Sequence, residues 1–307
     1  MNGLRQALQE YLAVRRALGF KLERAGHLLP DFVEFVERSG ASHITTSVAL
    51  AWAMLPAGAT PAWWAARLGV VRCFARYLQG FDPRTEVPPA ELLPREVGRI
   101  IPYVYTDQDV EALMEATCTL RGPVKRCTYA TLIGLLATTG MRVGEAIALD
   151  RTALDVEHGV LVIRRGKFGK SREVPLDPTA QAAMCDYAER RDRLLPHPKS
   201  PALLLSSAGT RLLYSNVQHA FARLLEISGV GTNAARRPRI HDLRHTFAIK
   251  ALLSWYRRSL EVEPRMARLS TYLGHVSPAS TYWYLTATPE LMALIAQRVE
   301  QLAGGLS

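Results

Sequence analysis

His241-Asp242-Leu243-Arg244-His245-Thr246-Phe247-Ala248 sets two histidines and an arginine within one helical turn, and Leu273-Gly274-His275 and then Tyr284 follow downstream. These residue types suit chemistry on a phosphate. A guanidinium offers a planar fork of donors that matches phosphate oxygens, imidazoles exchange protons near neutral pH, and a phenol can act as a covalent nucleophile. Such chemistry calls for no cofactor. A metal site is a poor alternative: the spacing of His241 and His245 suits a ligand pair, but the glutamate of a His-Glu-x-x-His site is missing and Arg244 between them would repel a cation.

Working outward, Thr138-Thr139-Gly140-Met141-Arg142-Val143-Gly144-Glu145 supplies a second arginine just past a helix-ending glycine, where backbone N–H groups of the next helix also favour an anion. Val160 to Ile163 and Arg172 to Leu176 are β-branched or alternating runs flanking Gly166-Lys167-Phe168-Gly169-Lys170, which predicts a β-hairpin with lysines in its turn. Taken in chain order, these segments resemble the tyrosine recombinase (phage integrase) family. Its pattern runs arginine, hairpin lysine, His-x-x-Arg, a histidine or tryptophan after Leu-Gly, and tyrosine.

The resemblance implies six catalytic residues: Arg142, Lys167, His241, Arg244, His275 and Tyr284. Arg142 and Arg244 clamp the scissile phosphate, His241 is a proton-transfer partner, His275 donates to a non-bridging oxygen, and Lys167 protonates the leaving 5′ oxygen. Lys170 competes for that last role, but the family places the lysine just after the first glycine, at Lys167. Glu145 and His245 take supporting roles, as an orienting acid and a packing neighbour. The family's tyrosine stands nine residues after the histidine, which selects Tyr284; Tyr282, some 200° away around a helix, is expected to pack. Asp242 is expected to cap its helix.

The same resemblance implies a mainly α fold with a small antiparallel β-sheet, in two domains: a helical core-binding domain over 1–81, a linker over 82–105 and a mixed α/β catalytic domain over 106–307 with a terminal helix at 288–303. In family members the two domains clamp opposite faces of the duplex. The residues agree with this division. Apolar stripes at helical spacing mark the first eighty residues, and Pro83, Pro88, Pro89 and Pro94 then break the periodicity. Thr106 to Asp109 starts a capped helix, and further helices are expected at about 178–194, 214–228, 242–256, 264–273 and 277–285. Trp52, Trp63 and Trp64 are expected in the core.

A length of 307 residues suits two cores, and a net charge of +10 makes a polyanion a sensible partner, because each phosphate neutralised releases condensed counterions. Residues 1–100 hold 12 basic against 9 acidic side chains and residues 101–307 hold 26 against 19, so either part could touch DNA. Arg236, Arg237 and Arg239, just before His241, and Lys170 are candidate contacts to the DNA backbone. The partner so implied is double-stranded DNA with specific recombination sites, bound by a homotetramer on paired sites and by a monomer or dimer otherwise. The apolar stripe from Leu291 to Leu302 is expected to dock on a neighbouring protomer, although it could equally cover its own domain's core. Four cysteines without metal-like spacing, and the lack of a signal-peptide pattern or long apolar span, point to a cytoplasmic setting and no membrane. Two other activities fit many of these residues: a type IB topoisomerase, and a DNA-binding protein without catalysis. Neither the target sequence nor the choice among integration, excision, transposition and dimer resolution is written in the motifs.

Overall fold

The computed structural model describes residues 3–94, 101–164, 171–275, 277–286 and 288–304, and it divides into two compact units, Met1–Ile100 and Ile101–Ser307. The first is a four-helix core: α1 (Leu4–Ala17), α2 (Glu23–Arg38), α3 (Thr46–Met54) and α4 (Pro61–Gln79). Thr45 and Thr60 cap α3 and α4 with their hydroxyls, and Pro61 occupies a first-turn position where no N–H is needed. Leu29, Phe32, Val36, Trp52, Leu68, Val71 and Phe74 are almost wholly buried together, each large side chain stabilising the unit by about 1.5–3 kcal/mol. Trp52 meets Phe32 edge-on, with centroids 5.1 Å apart. Trp63 departs from the expectation: it is 36% exposed, beneath Arg24, because its helix position faces away from the core.

The proline-rich stretch after Asp82 forms no helix, yet it is fastened rather than free. Arg72 donates to the carbonyls of Pro88 and Pro89 at 2.6 Å each, the Glu86 carboxylate accepts the Thr46 N–H at 2.7 Å, and Val87 and Leu93 pack on the first core. Tyr103 and Tyr105, by contrast, belong with the second unit. The Tyr105 N–H donates to the Thr246 hydroxyl at 3.0 Å and its own hydroxyl donates to the Arg239 carbonyl at 3.1 Å.

In the second unit α5 (Asp107–Ala116) begins with the reciprocal Thr106–Asp109 capping box, and α6 (Pro123–Thr139) runs through the middle of the core. A short α7 (Val143–Ala148) leads to three antiparallel strands, β1 (Leu154–Asp155), β2 (Val160–Ile163) and β3 (Arg172–Pro175). The β2–β3 pairing sets Leu161 opposite Val174 and Ile163 opposite Arg172. This is the anticipated hairpin, with the two-residue β1 added; its turn at 165–170, with Lys167 and Lys170, lies outside the described residues. Then come α8 (Pro178–Leu194), α9 (Tyr214–Ser228), α10 (Asp242–Arg257), α11 (Glu263–Leu273), α12 (Ala279–Tyr282), a 3₁₀ turn at Trp283–Thr286 and α13 (Pro289–Gly304). The fold is mostly helical with one small antiparallel sheet, as expected.

A separate apolar cluster joins α10, α11, the 3₁₀ turn and α13: Ile249, Leu252, Met266, Leu269, Leu273, Tyr284 and Leu291. In the single chain α13 takes the alternative arrangement and covers its own domain. Leu291 is fully buried against its own domain and Ile295 packs beside it, while Met292 and Val299 face outward. Among the described residues no helix is long and apolar enough to cross a membrane, and no group of side chains could hold a metal ion.

Candidate active site

Local backbone geometry brings the first arginine to the site. Gly140 ends α6 in the left-handed region at φ 60°, and a Cβ there would stand 2.5 Å from the Phe247 ring, so the tight approach of α6 to α10 requires glycine. The turn delivers Arg142 to the N-terminus of α7. Its backbone N–H donates to Glu145 Oε2 at 3.0 Å and its Nη1 donates to Oε1 at 2.8 Å. Arg172, from the start of β3, grips the same carboxylate with Nη1 and Nη2 at 3.1 and 2.8 Å. Burial opposes ionisation of Glu145, but the Arg172 hydrogen bonds and the Arg142 N–H outweigh it and hold its pKa down at about 2.

Three guanidiniums then converge on one helix end. Arg172 Nε donates to the Tyr272 carbonyl at 2.8 Å, Arg244 Nη2 to that of Leu273 at 2.7 Å, and Arg142 Nη2 to that of Gly274 at 2.8 Å. The last carbonyls of a helix have no partner within it and carry its negative dipole end, so the C-terminus of α11 satisfies its acceptors and gathers positive charge in one step. Gly274, at φ 65°, permits the approach; a Cβ would lie 3.0 Å from Arg172 Nη1. Arg244, on the first turn of α10, is 2% exposed and also donates to the Gly140 carbonyl at 2.9 Å. Burial and the charge of Arg142 lower its pKa to about 10, so it stays cationic at neutral pH.

The histidines and the tyrosine complete the wall. Tyr284 is 2% exposed on the 3₁₀ turn, its hydroxyl 3.0 Å from His245 Nδ1. Burial raises its pKa against the opposing pull of Arg244 and Arg142, so the phenol is protonated at rest. His275 lies nearly parallel to the Tyr284 ring, with centroids 6.2 Å apart, and its Nδ1 is 2.7 Å from the buried Thr281 hydroxyl. Burial, then the charges of Arg244 and Arg142, bring His275 to about 4. His241 keeps an exposed face and meets His245 edge-on at 4.9 Å; packing of the ring and the Arg244 charge hold its pKa below the usual value.

Arg142, Glu145, His241, Arg244, His245, His275 and Tyr284 are thus gathered in one place. Tyr282 does not pack as expected: it is 49% exposed, since the 3₁₀ turn that buries Tyr284 leaves its helical neighbour outside. Asp242 is not the cap but the first residue of α10, its carboxylate accepting the Arg239 N–H at 2.9 Å and the Arg239 Nη2 at 2.9 Å. Of the candidate DNA-contacting arginines, Arg239 is therefore paired with Asp242, Arg237 is paired with Glu226 at 2.8 Å, and Arg236 is exposed. Arg172 and Thr281 were not anticipated. Arg172 had one local signal: it lies two residues from buried Val174 on a strand, hence on the same, inward face.

Residues 104–290, which hold this whole constellation, match the pattern of the Phage integrase family. The chain belongs to that family. It is 43% identical over 308 residues, 98% of each chain, to a Sinorhizobium fredii protein named as an integrase/recombinase. To the tyrosine recombinase XerD of Caulobacter vibrioides it is 30% identical, over 95% of this chain and 94% of that one. Two solved structures share the fold. The Tn1549 transposon integrase in complex with transposon right-end DNA aligns with a TM-score of 0.67 and 16% identity over 97% of this chain and 99% of that one. A lambda integrase dimer bound to a COC′ core site aligns at 0.63 and 18% over 92% and 94%. The protein is a site-specific recombinase.

Proposed function

We propose that this recombinase cuts and rejoins DNA strands through a 3′-phosphotyrosyl intermediate on Tyr284. The observation that carries the proposal is the placement of one buried phenol beside Arg244, within a group of arginines that share a helix end. Tyr284 Oη attacks the scissile phosphorus, its bond to phosphorus forms as the P–O5′ bond breaks, and the 5′ oxygen leaves with a proton from Lys167. Arg142 and Arg244 stabilise the charge that develops on the non-bridging oxygens; their positions are already fixed by the carbonyls they hold, so little reorganisation accompanies the step. His275 donates its Nε2–H to one of those oxygens, with Nδ1 satisfied by Thr281, and His241 donates from the exposed mouth. A 5′ hydroxyl of a partner strand later reverses the sequence. Bond energy is kept in the phosphotyrosyl link, so the exchange needs no nucleotide hydrolysis.

The substrate is double-stranded DNA bearing specific sites, engaged by Lys170, Arg236, Arg237 and Arg239 along its backbone, and strand exchange between two duplexes takes place in a tetramer on paired sites. Integration, excision, transposition and dimer resolution all use this chemistry and differ in the sites supplied. Incubation with nicked site DNA in the absence of Mg²⁺ tests the reaction: an adduct that resists SDS forms with the wild type and is lost in Tyr284→Phe. Relaxation of a supercoiled plasmid lacking any site, at the rate seen with one, would instead favour a topoisomerase.

A further inference from the structure

The phosphotyrosyl reading requires a group that takes the phenolic proton: Tyr284 is protonated at rest, so its proton must leave as Oη bonds to phosphorus. The family resemblance points to His241 as the proton-transfer partner, and His245 was expected only to pack. The geometry reverses the emphasis. His245 Nδ1 is the imidazole nitrogen at hydrogen-bond distance from Tyr284 Oη, at 3.0 Å, whereas His241 faces solvent and touches the edge of His245. We infer that His245 is the general base of the cleavage step, taking the Tyr284 proton on Nδ1 and returning it during rejoining.

Hydrogen-bond polarity supports this direction of transfer. The charge of the Arg244 guanidinium, a group that can only donate, acts on the Tyr284 oxygen and opposes the rise that burial gives its pKa. A donor-only cation acting on Oη leaves the phenolic O–H to donate to Nδ1, 3.0 Å away. A histidine that accepts on Nδ1 carries its hydrogen on Nε2. His245 is neutral at rest, because burial first and then the proximity of His241 bring its pKa to about 4. Its lone pair is consequently available. The groups around the ring are His241, Asp242, Arg239 and Arg244 from α10 and its approach, with Trp283 and Tyr284 from the 3₁₀ turn; Trp283 stands edge-on at 5.6 Å. An incoming DNA phosphate adds negative charge to this cationic surround, which favours the imidazolium formed on transfer. Atoms balance: Oη–P forms, P–O5′ breaks, the phenolic proton moves to Nδ1, and O5′ receives its proton from Lys167.

The inference rests on the phosphotyrosyl reading, and one experiment separates the two. Single-turnover cleavage is measured with nicked site DNA carrying either an ordinary 5′ oxygen or a bridging 5′ sulfur at the scissile position; a thiolate leaves without a general acid. His245→Asn keeps an acceptor close to where Nδ1 stands but cannot take up a proton. It should cleave both substrates about 10²-fold or more slowly, the range lost with a general base. Lys167→Ala should be slow only on the oxygen substrate. DNA affinity and melting temperature of His245→Asn should match the wild type, and imidazole added to His245→Ala should restore part of the cleavage, which repacking alone would not do. Wild-type rates in His245→Asn, faster cleavage that would make His245 a parking contact, or recovery on the sulfur substrate would overturn the assignment. Absence of a covalent adduct with the wild type would overturn the phosphotyrosyl reading instead.

Discussion

Arg172 and Glu145 face each other as a two-pronged ion pair, Nη1 to Oε1 at 3.1 Å and Nη2 to Oε2 at 2.8 Å, although 27 residues separate them. Glu145 also accepts from the side chain and backbone N–H of Arg142, so one buried carboxylate sets the position of the arginine proposed to hold the scissile phosphate. Removing Arg172 leaves that carboxylate with half its partners. Arg172→Gln should destabilise the second unit by about 2–4 kcal/mol, somewhat under the usual cost of breaking a buried pair because Arg142 remains. Displacement of Arg142 should lower cleavage by up to about 10²-fold with little change in DNA affinity. Chemical denaturation and single-turnover kinetics check the two effects.

The same carboxylate gives a pH dependence with a definite sign. Its folded pKa of about 2 lies below the ordinary 4.5. Its contribution to stability is therefore present above pH 4.5 and lost as the pH falls through 2, and the interval corresponds to about 3 kcal/mol. The stability difference between the wild type and Glu145→Gln should be flat from pH 7 to about 5 and shrink below that. A difference that grows on acidification would contradict the assignment.

Much of this was legible in the sequence because the signals are local. Thr106 and Asp109 form their capping box, Gly140 and Gly274 end α6 and α11 in the left-handed region, and α8 and α9 begin and end at the expected residues. The matches in chain order brought Arg142, Arg244, His275 and Tyr284 forward before any packing was known. The errors are of another kind. Arg172 acts on residues 27 and 100 positions away, and a strand run announces neither partner. The 3₁₀ turn at Trp283 breaks the helical phase that was assumed to bury Tyr282. Asp242 meets the composition of a cap but turns back to Arg239.

Gly140→Ala tests the close approach of α6 and α10. The left-handed backbone and the clash with the Phe247 ring, 2.5 Å from the new Cβ, should together cost about 2–4 kcal/mol. Because the Gly140 carbonyl also holds Arg244, cleavage should fall along with the melting temperature. Gly144→Ala, with open space around its Cβ, serves as the control and should change neither.

Arg142→Ala and Arg244→Ala should each slow cleavage by about 10²–10³-fold while leaving most of the DNA affinity, since phosphates elsewhere on the site keep their own contacts. Single-turnover rates beside filter-binding affinities measured at a fixed salt concentration distinguish this outcome from a general loss of binding.

Trapping the covalent adduct on nicked DNA, digesting protein and DNA, and locating the residual nucleotide by fragmentation mass spectrometry identifies the nucleophile. Tyr272, Tyr282 and Tyr284 fall on one tryptic peptide between Arg268 and Arg298, so the fragment series resolves them. The nucleotide should be on Tyr284. Its appearance on exposed Tyr282, or an adduct that persists in Tyr284→Phe, would show that Tyr284 is not the nucleophile.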